Sequence, residues 1–225
     1  MIVTPGPLEP PFDRLLAALA KRGESVLEGT DALPPGDSPV TLAVGTGAFV
    51  FDFAGLVRAL GARPFRVLVL SRLGAHPDAR AAALQRLWRL EEHVRRGGAP
   101  TLTLRFAPLL GRDSPLWRKL ASRPSLPRRG RQLLNPVLES DALETLVRAV
   151  AEARVWSDWF EVAGPAVWSL AEIADIAQRS GVTHGGAWEP GLDEMAEHRL
   201  AEAGPWMERF AITPGSIDTL IGAVA

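Results

Sequence analysis

The residues that could do chemistry in this chain are few and widely spaced. Ser71 ends an apolar run at residues 67–70, and His76 and Asp78 follow a few positions on. Hydroxyl, imidazole and carboxylate are the parts of a nucleophilic triad, but three members on one loop rarely reach its geometry. A hydrogen-bonding role for Ser71 at a strand end is the plainer reading. Gly6, Gly45 and Gly47 each lie just beyond a short apolar run, and an ordinary strand-to-helix turn explains Gly45 and Gly47.

Between residues 112 and 131 stand Arg112, Arg118, Lys119, Arg123, Arg128, Arg129 and Arg131, against the one acid Asp113. The guanidinium fork grips phosphate through two bonds at once. Arg112, Arg118, Arg128 and Arg129 are therefore candidate contacts for a phosphate or a partner, with a solvated basic loop as the simpler alternative. Trp117 among them is either a partner anchor or a loop staple. His76, His93, His184 and His198 have no metal-ligand spacing, and the chain has no cysteine, so sulfur-ligated metals, disulfides and thiolate chemistry are excluded.

The elements that must position these groups follow from periodicity. Residues 1–4 predict a minimal strand. Phe12, Leu15, Leu16, Leu19 and Ala20 recur at helical spacing up to the stop Lys21-Arg22-Gly23. Pro10 and Pro11 suit a helix entrance. Residues 25–27 predict a second strand ending at Glu28, and a Pro/Gly/Asp-rich loop covers 30–39. Residues 40–44 predict another strand. Phe53, Leu56, Val57 and Leu60 mark a helix stopped by Gly61. Residues 67–70 and 101–106 predict strands joined by a helix bearing Ala83, Leu87, Leu90 and Val94 and ended by Gly97-Gly98. Strand, crossover helix and strand make the βαβ unit of a parallel sheet. Ser140 or Asp141 is expected to cap a helix over 142–153, and Ser169 with Glu172 fits a capping box.

Composition bounds the rest. A 225-residue chain with 47% apolar residues and a formal charge of −1 suits a globular protein with no field that would draw nucleic acid. The N-terminal MIVTPGP has neither a charged leader nor an apolar signal core, and no run reaches membrane-spanning length, so a cytoplasmic location is expected. Lys21 and Lys119 are the only lysines; arginine usage with the Ala, Pro and Gly content suggests a GC-rich bacterial genome.

Several of these segments resemble the extended and atypical short-chain dehydrogenase/reductase superfamily, in the branch of NAD-dependent epimerases/dehydratases and NmrA-like proteins. Leu70-Ser71-Arg72-Leu73-Gly74-Ala75 is similar to that family's Ser-Ser-x-Gly strand end. Glu91-Glu92-His93-Val94-Arg95-Arg96-Gly97-Gly98, followed by Leu104-Arg105-Phe106, is similar to its Glu, Gly and Leu-Arg-Pro elements. Asn135 to Ala142, and Phe160 to Pro165 followed by Trp168 to Ala174, continue the likeness, which covers residues 1–182.

The resemblance implies an α/β fold: a trimmed Rossmann-like, doubly wound parallel sheet over 1–182. A small C-terminal helical cap over 183–225, bearing Trp188, Trp206, Met207, Phe210, Ile212, Leu220 and Ile221, is expected to pack on it. It also locates what has been replaced. The family's catalytic tyrosine and lysine fall on Ala83 and Leu87, which cannot carry a proton, and the chain has no tyrosine. The family's phosphate-turn glycines fall on Pro5, Leu8 and Pro11; proline removes an N–H donor and leucine adds bulk.

No catalytic residue is therefore expected, with Ser71 the lone survivor, and no cofactor. If a cofactor binds, it is NAD(P), at Gly6, Gly45, Gly47 and Ser71. The expected function is that of a pseudoenzyme: a catalytically silent binding, scaffold or regulatory protein with a protein partner or self-association. The alternative is an NAD(P)-dependent oxidoreductase or sugar-nucleotide epimerase with a non-standard cofactor loop.

Overall fold

A computed structural model describes residues 1–29, 38–45, 53–152, 156–181 and 192–221. Gly47, His184 and Trp188 lie outside the described residues. The chain forms two compact units: Met1–Arg105 with Leu146–Phe160, and Phe106–Thr145 with Glu161–Ala225.

The first unit is built on a parallel sheet. Its elements are β1 (Ile2–Thr4), α1 (Phe12–Lys21), β2 (Val26–Glu28), β3 (Val40–Val44), α2 (Phe53–Leu60), β4 (Phe65–Arg72), α3 (Ala82–Arg96) and β5 (Thr101–Phe106). The strand β9 (Trp159–Val162) completes a six-stranded order β2-β1-β3-β4-β5-β9. β1 pairs in parallel with β2 and β3, and β3 with β4. The chain reverses direction across the sheet at β1, the hallmark of a doubly wound fold. Among the described residues β2 is the edge strand of this order, and β3 lies on the other side of β1.

Every residue of β3 is buried, as are Val67 to Ser71 of β4, which is why both read as near-continuous apolar segments. Val3, Leu42, Val44, Val67, Val69 and Val94 form one side's core with Leu60. On α1 the buried positions are Phe12, Leu15, Leu16 and Leu19, while Ala20 faces solvent. On α3 they are Leu84, Leu87, Glu91 and Val94. Leu87 and Val94 are buried as the expected stripe has them, but Leu84 and Glu91 are buried where Ala83 and Leu90 were expected, so this face carries a carboxylate. Arg66 reaches from β4 to donate to the carbonyls of Val150 and Glu152 and lies 4.0 Å over the Trp156 ring. It closes a helix end whose carbonyls have no intrahelical partner.

The second unit contains β6 (Leu109–Leu110), α4 (Pro115–Ala121), β7 (Leu133–Leu134), β8 (Val137–Leu138), the start of α5 (Glu139–Ala151), β10 (Trp168–Ser169), α6 (Leu170–Arg179) and α7 (Gly204–Phe210). β6 pairs with β8, and β7 with β10. Helix α5 begins at Glu139, so Ser140 and Asp141 lie in its first turn and do not cap it. Asp141 instead accepts the Gly215 N–H at 2.9 Å. Trp117, Leu120, Leu134, Leu170, Ile173, Met195, Ile217 and Leu220 share one core, so the described tail is integral to this unit. Trp117 is fully buried and donates to Ser180 Oγ at 3.1 Å: it is a staple and presents nothing to a partner.

The capping box forms as expected. Ser169 Oγ accepts the Glu172 N–H at 3.2 Å, and Glu172 accepts the Ser169 N–H at 2.7 Å. These bonds hold the Glu172 carboxyl below its ordinary range, whereas burial pushes that of Asp141 up, with the Gly215 and Ser140 bonds opposing. Linkage gives the two groups opposite signs. A carboxyl depressed in the native state contributes stability above its unfolded pKa and loses it as pH falls; a raised one gains on acidification. In acid titrations followed by urea unfolding, the stability difference between wild type and Glu172→Gln should shrink from pH 6 to pH 3. The difference between wild type and Asp141→Asn should move in wild type's favour over the same interval.

Candidate functional site

At the carboxyl ends of β1, β3 and β4, where an open parallel sheet keeps its ligands, the first unit has closed its turn on itself. The β1–α1 turn runs through Pro5, Gly6, Leu8 and Pro11. A Cβ on Gly45 would lie 3.2 Å from the Leu70 carbonyl, 3.4 Å from Leu8 Cδ2 and 3.5 Å from Phe12 Cδ2. Gly45 is therefore closely packed against protein, most tightly at the Leu70 carbonyl. Arg72, at the end of β4, donates to the Pro10 carbonyl at 2.8 Å and lies 5.8 Å over the Phe12 ring. Side chains thus occupy the space beside the turn, and Pro5 and Pro11 offer no N–H to a phosphate.

Ser71 belongs to a different structure. It is fully buried, and its hydroxyl donates to Glu91 Oε1 at 2.5 Å. Arg105 on β5 completes the arrangement, with Nε 3.1 Å from Glu91 Oε1 and Nη2 2.5 Å from Oε2. The outer face of Arg105 lies 5.0 Å from the centroid of Trp159. The carboxylate accepts from both neighbours, so the Ser71 hydroxyl is committed as a donor, and, being fully buried, it is presented to no substrate. His76 and Asp78 are exposed and 3.8 Å apart, and no triad with Ser71 forms.

Leu87 is fully buried with Leu84, Ala75 and Ala79, and Ala81 and Trp88 pack against them. Ala83, one helical turn back, is half-buried. Hydrocarbon fills this part of α3. Glu91 is the residue that sequence reasoning missed: its register with Leu84, Leu87 and Val94 placed it on the apolar face, where a carboxylate needs a partner.

The basic segment divides. Arg118 pairs with Asp113 at 3.1 Å, and Arg112 has a buried Nη2 without a hydrogen-bond partner among the described residues. Arg128 and Arg129 instead line a cavity of about 440 Å³ together with Arg131, Gln132 and His198. Both adopt left-handed backbone, φ 45° and 57°, at a cost of about 1 kcal/mol each for residues with a Cβ. His198 lies 65 residues from Leu133, whose N–H it accepts on Nδ1 at 3.0 Å, and nothing in the sequence marks it as a neighbour of the arginines. Among the described residues, no group of three or more His, Cys, Asp or Glu is placed to hold a metal ion, and no helix is long and apolar enough to cross a membrane.

The fold is that of a doubly wound α/β protein, and it is shared with solved structures described as NAD-dependent dehydratases and as epimerases. Solved structures carry this likeness across nearly the whole chain. A dehydratase of tunicamycin biosynthesis, NAD-dependent and acting on an NDP-hexosamine, is 17% identical, with 98% of this chain and 94% of that one covered at TM-score 0.61. The UDP-glucose 4-epimerase of Thermotoga maritima is 12% identical over 98% and 96%, TM-score 0.62. The Citrobacter triphenylmethane reductase, complexed with NADP(H), is 14% identical over 98% and 88%, TM-score 0.63. No protein-family model matches the chain, and no curated protein matches it by sequence.

Proposed function

We propose that this protein is a catalytically silent Rossmann-fold binding or regulatory protein, in which the dinucleotide site of the ancestral fold has been filled by its own side chains. The observation that carries this reading is the closed β1–α1 turn. Leu8 and Phe12 approach Gly45, and the Arg72 guanidinium is tied to the Pro10 carbonyl. A pyrophosphate in the usual mode needs glycine N–H groups and open space at that turn, so the residues present do not fit it. Ala83 and Leu87 hold no group that can pass a proton to a substrate, and the Ser71 hydroxyl is buried against Glu91.

The competing reading is an NAD(P)-dependent oxidoreductase or epimerase using a non-standard loop. Its support is the extent of the likeness, 98% of this chain, to solved proteins described as NAD-dependent or complexed with NADP(H). Thermal-shift titration with NAD, NADH, NADP and NADPH separates the two. A ligand bound only by the native state raises Tm in proportion to the logarithm of its concentration. The proposal expects no rise with any of the four up to millimolar concentrations; a saturable rise of several degrees with one of them overturns it.

A further inference from the structure

We propose that β9 is a docking edge for a second copy of this chain, which pairs with it antiparallel across a two-fold axis at Trp159. The inference goes beyond the silent-protein reading and does not rest on it, since it holds whether or not the chain turns over a substrate. It selects self-association from the partners that the sequence left open.

The edge is open. Among the described residues the strand order ends at β9. The carbonyls of Trp156, Asp158 and Val162 accept the N–H groups of Thr101, Thr103 and Ala107 at 3.0, 3.0 and 2.9 Å. Even-numbered residues are thus the ones turned to β5, and alternation points the N–H and C=O groups of Ser157, Trp159 and Glu161 away from the sheet. Among the described residues no further backbone bonds to Ser157 or Trp159. Lysine and proline, two common protections of a sheet edge, are missing from residues 157–162.

The edge also carries an anchor. Trp159 is 59% exposed, the most of any large apolar side chain described. Its ring is nonetheless fixed. Arg105 lies 5.0 Å from the ring centroid and is itself held by both oxygens of Glu91. A tryptophan placed before binding loses little freedom on contact, and such residues dominate interface energies.

Charge selects both the occupant and the register. An antiparallel copy whose axis falls on Asp158 brings the two Asp158 carboxylates face to face, which is unfavourable. An axis at Phe160 or Glu161 calls on the Ala163 carbonyl, which already accepts the Trp206 Nε1–H at 2.9 Å. With the axis on Trp159 neither conflict arises. Asp158 then faces Phe160 of the second copy, and Ser157 faces its Glu161, a hydroxyl opposite a carboxylate. The two indoles lie side by side on one face of the joined sheet, an aromatic cross-strand pair. The segment is complementary to itself, which a strand of unrelated sequence would not match.

The test begins with sedimentation velocity of the full chain from about 1 to 200 μM. Monomer should pass to dimer over this range, as small interfaces associate weakly. Trp159→Lys sets two ammonium groups together on the axis and should weaken the dimer about thirtyfold or more. Leu200→Ser, which removes an exposed apolar side chain elsewhere, should leave it unchanged. Cross-linking then reads the register, because the chain has no cysteine of its own. Oxidising a mixture of Ser157→Cys and Glu161→Cys chains should give the mixed disulfide as the main product, since these positions face each other at about 5.5 Å. Either variant alone should cross-link about tenfold less, its two cysteines standing roughly 14 Å apart. A chain that stays monomeric at the highest concentration, a dimer indifferent to Trp159→Lys, or a mixed disulfide no more abundant than the others would each overturn the proposal. Dinucleotide binding, by contrast, bears on the silent-protein reading alone.

Discussion

Glu91→Ala should be among the most damaging single substitutions in the chain, lowering stability by about 3–5 kcal/mol. The side chain is 9% exposed and its Arg105 partner 22%, so removal leaves a guanidinium and the Ser71 hydroxyl facing the space of a lost carboxylate. The Ser71 hydroxyl, fully buried, cannot turn to water. Urea unfolding of the variant should show a lower midpoint with an unchanged slope, the signature of lost stability in an intact fold. Ser71→Ala should cost far less, about 1 kcal/mol, because Arg105 still answers the carboxylate. If Ser71→Ala proved as costly as Glu91→Ala, the hydroxyl would have a role beyond donating to Glu91.

Leu87→Lys is the second large effect. It writes the family's lysine back at its aligned position, and in an operating site of that family it would be the native residue. Here the side chain is fully buried among Leu84, Ala75 and Ala79. An ammonium placed there has no partner, and it must lose its proton or disrupt the packing. We expect a loss of about 4 kcal/mol, partly recovered at high pH where the lysine is neutral. The sign follows from linkage: burial depresses the folded-state pKa of an introduced lysine, so the penalty is full below that pKa and fades as pH rises through it. Pairing it with Ala83→Tyr should restore neither stability nor dinucleotide binding. Midpoints at pH 6 and pH 10 check the first statement, and dinucleotide titration of the double variant checks the second. A stable, cofactor-binding double variant would contradict the proposal that the site has been filled.

How much of this was legible beforehand depends on whether the cause was local. β3 and the centre of β4 run over residues 40–44 and 67–70, where the sequence placed strands, because a strand buried on both faces writes itself as near-continuous hydrophobicity. The Ser169 and Glu172 box was readable for the same reason, since both halves lie within one turn. The start of α5 was not. Ser140 and Asp141 have capping chemistry, but the pairing of Leu138 with Leu110 fixes the chain so that the helix opens at Glu139, and Asp141 serves Gly215 instead.

The site residues divide in the same way. Pro5, Leu8 and Pro11 announced a changed turn, but that Gly45 serves close protein packing follows only from the positions of Leu8, Phe12 and Leu70. The basic segment was plain in the sequence, yet only tertiary structure separates Arg118, which has Asp113, from Arg128 and Arg129, which join a histidine from the tail.

The interleaved order of the two units has a consequence for synthesis on the ribosome. The first unit's sheet receives its outer strand only from the segment that begins at Trp156, whose carbonyl accepts the Thr101 N–H at 3.0 Å, whereas residues 106–145 belong to the other unit. A nascent chain therefore exposes the flank of β5 while it translates about 50 further residues, several seconds at ordinary elongation rates. Throughout that interval β5 is an unprotected template for another strand. Pauses or truncations between residues 106 and 155 should be the points at which this polypeptide recruits chaperones or aggregates.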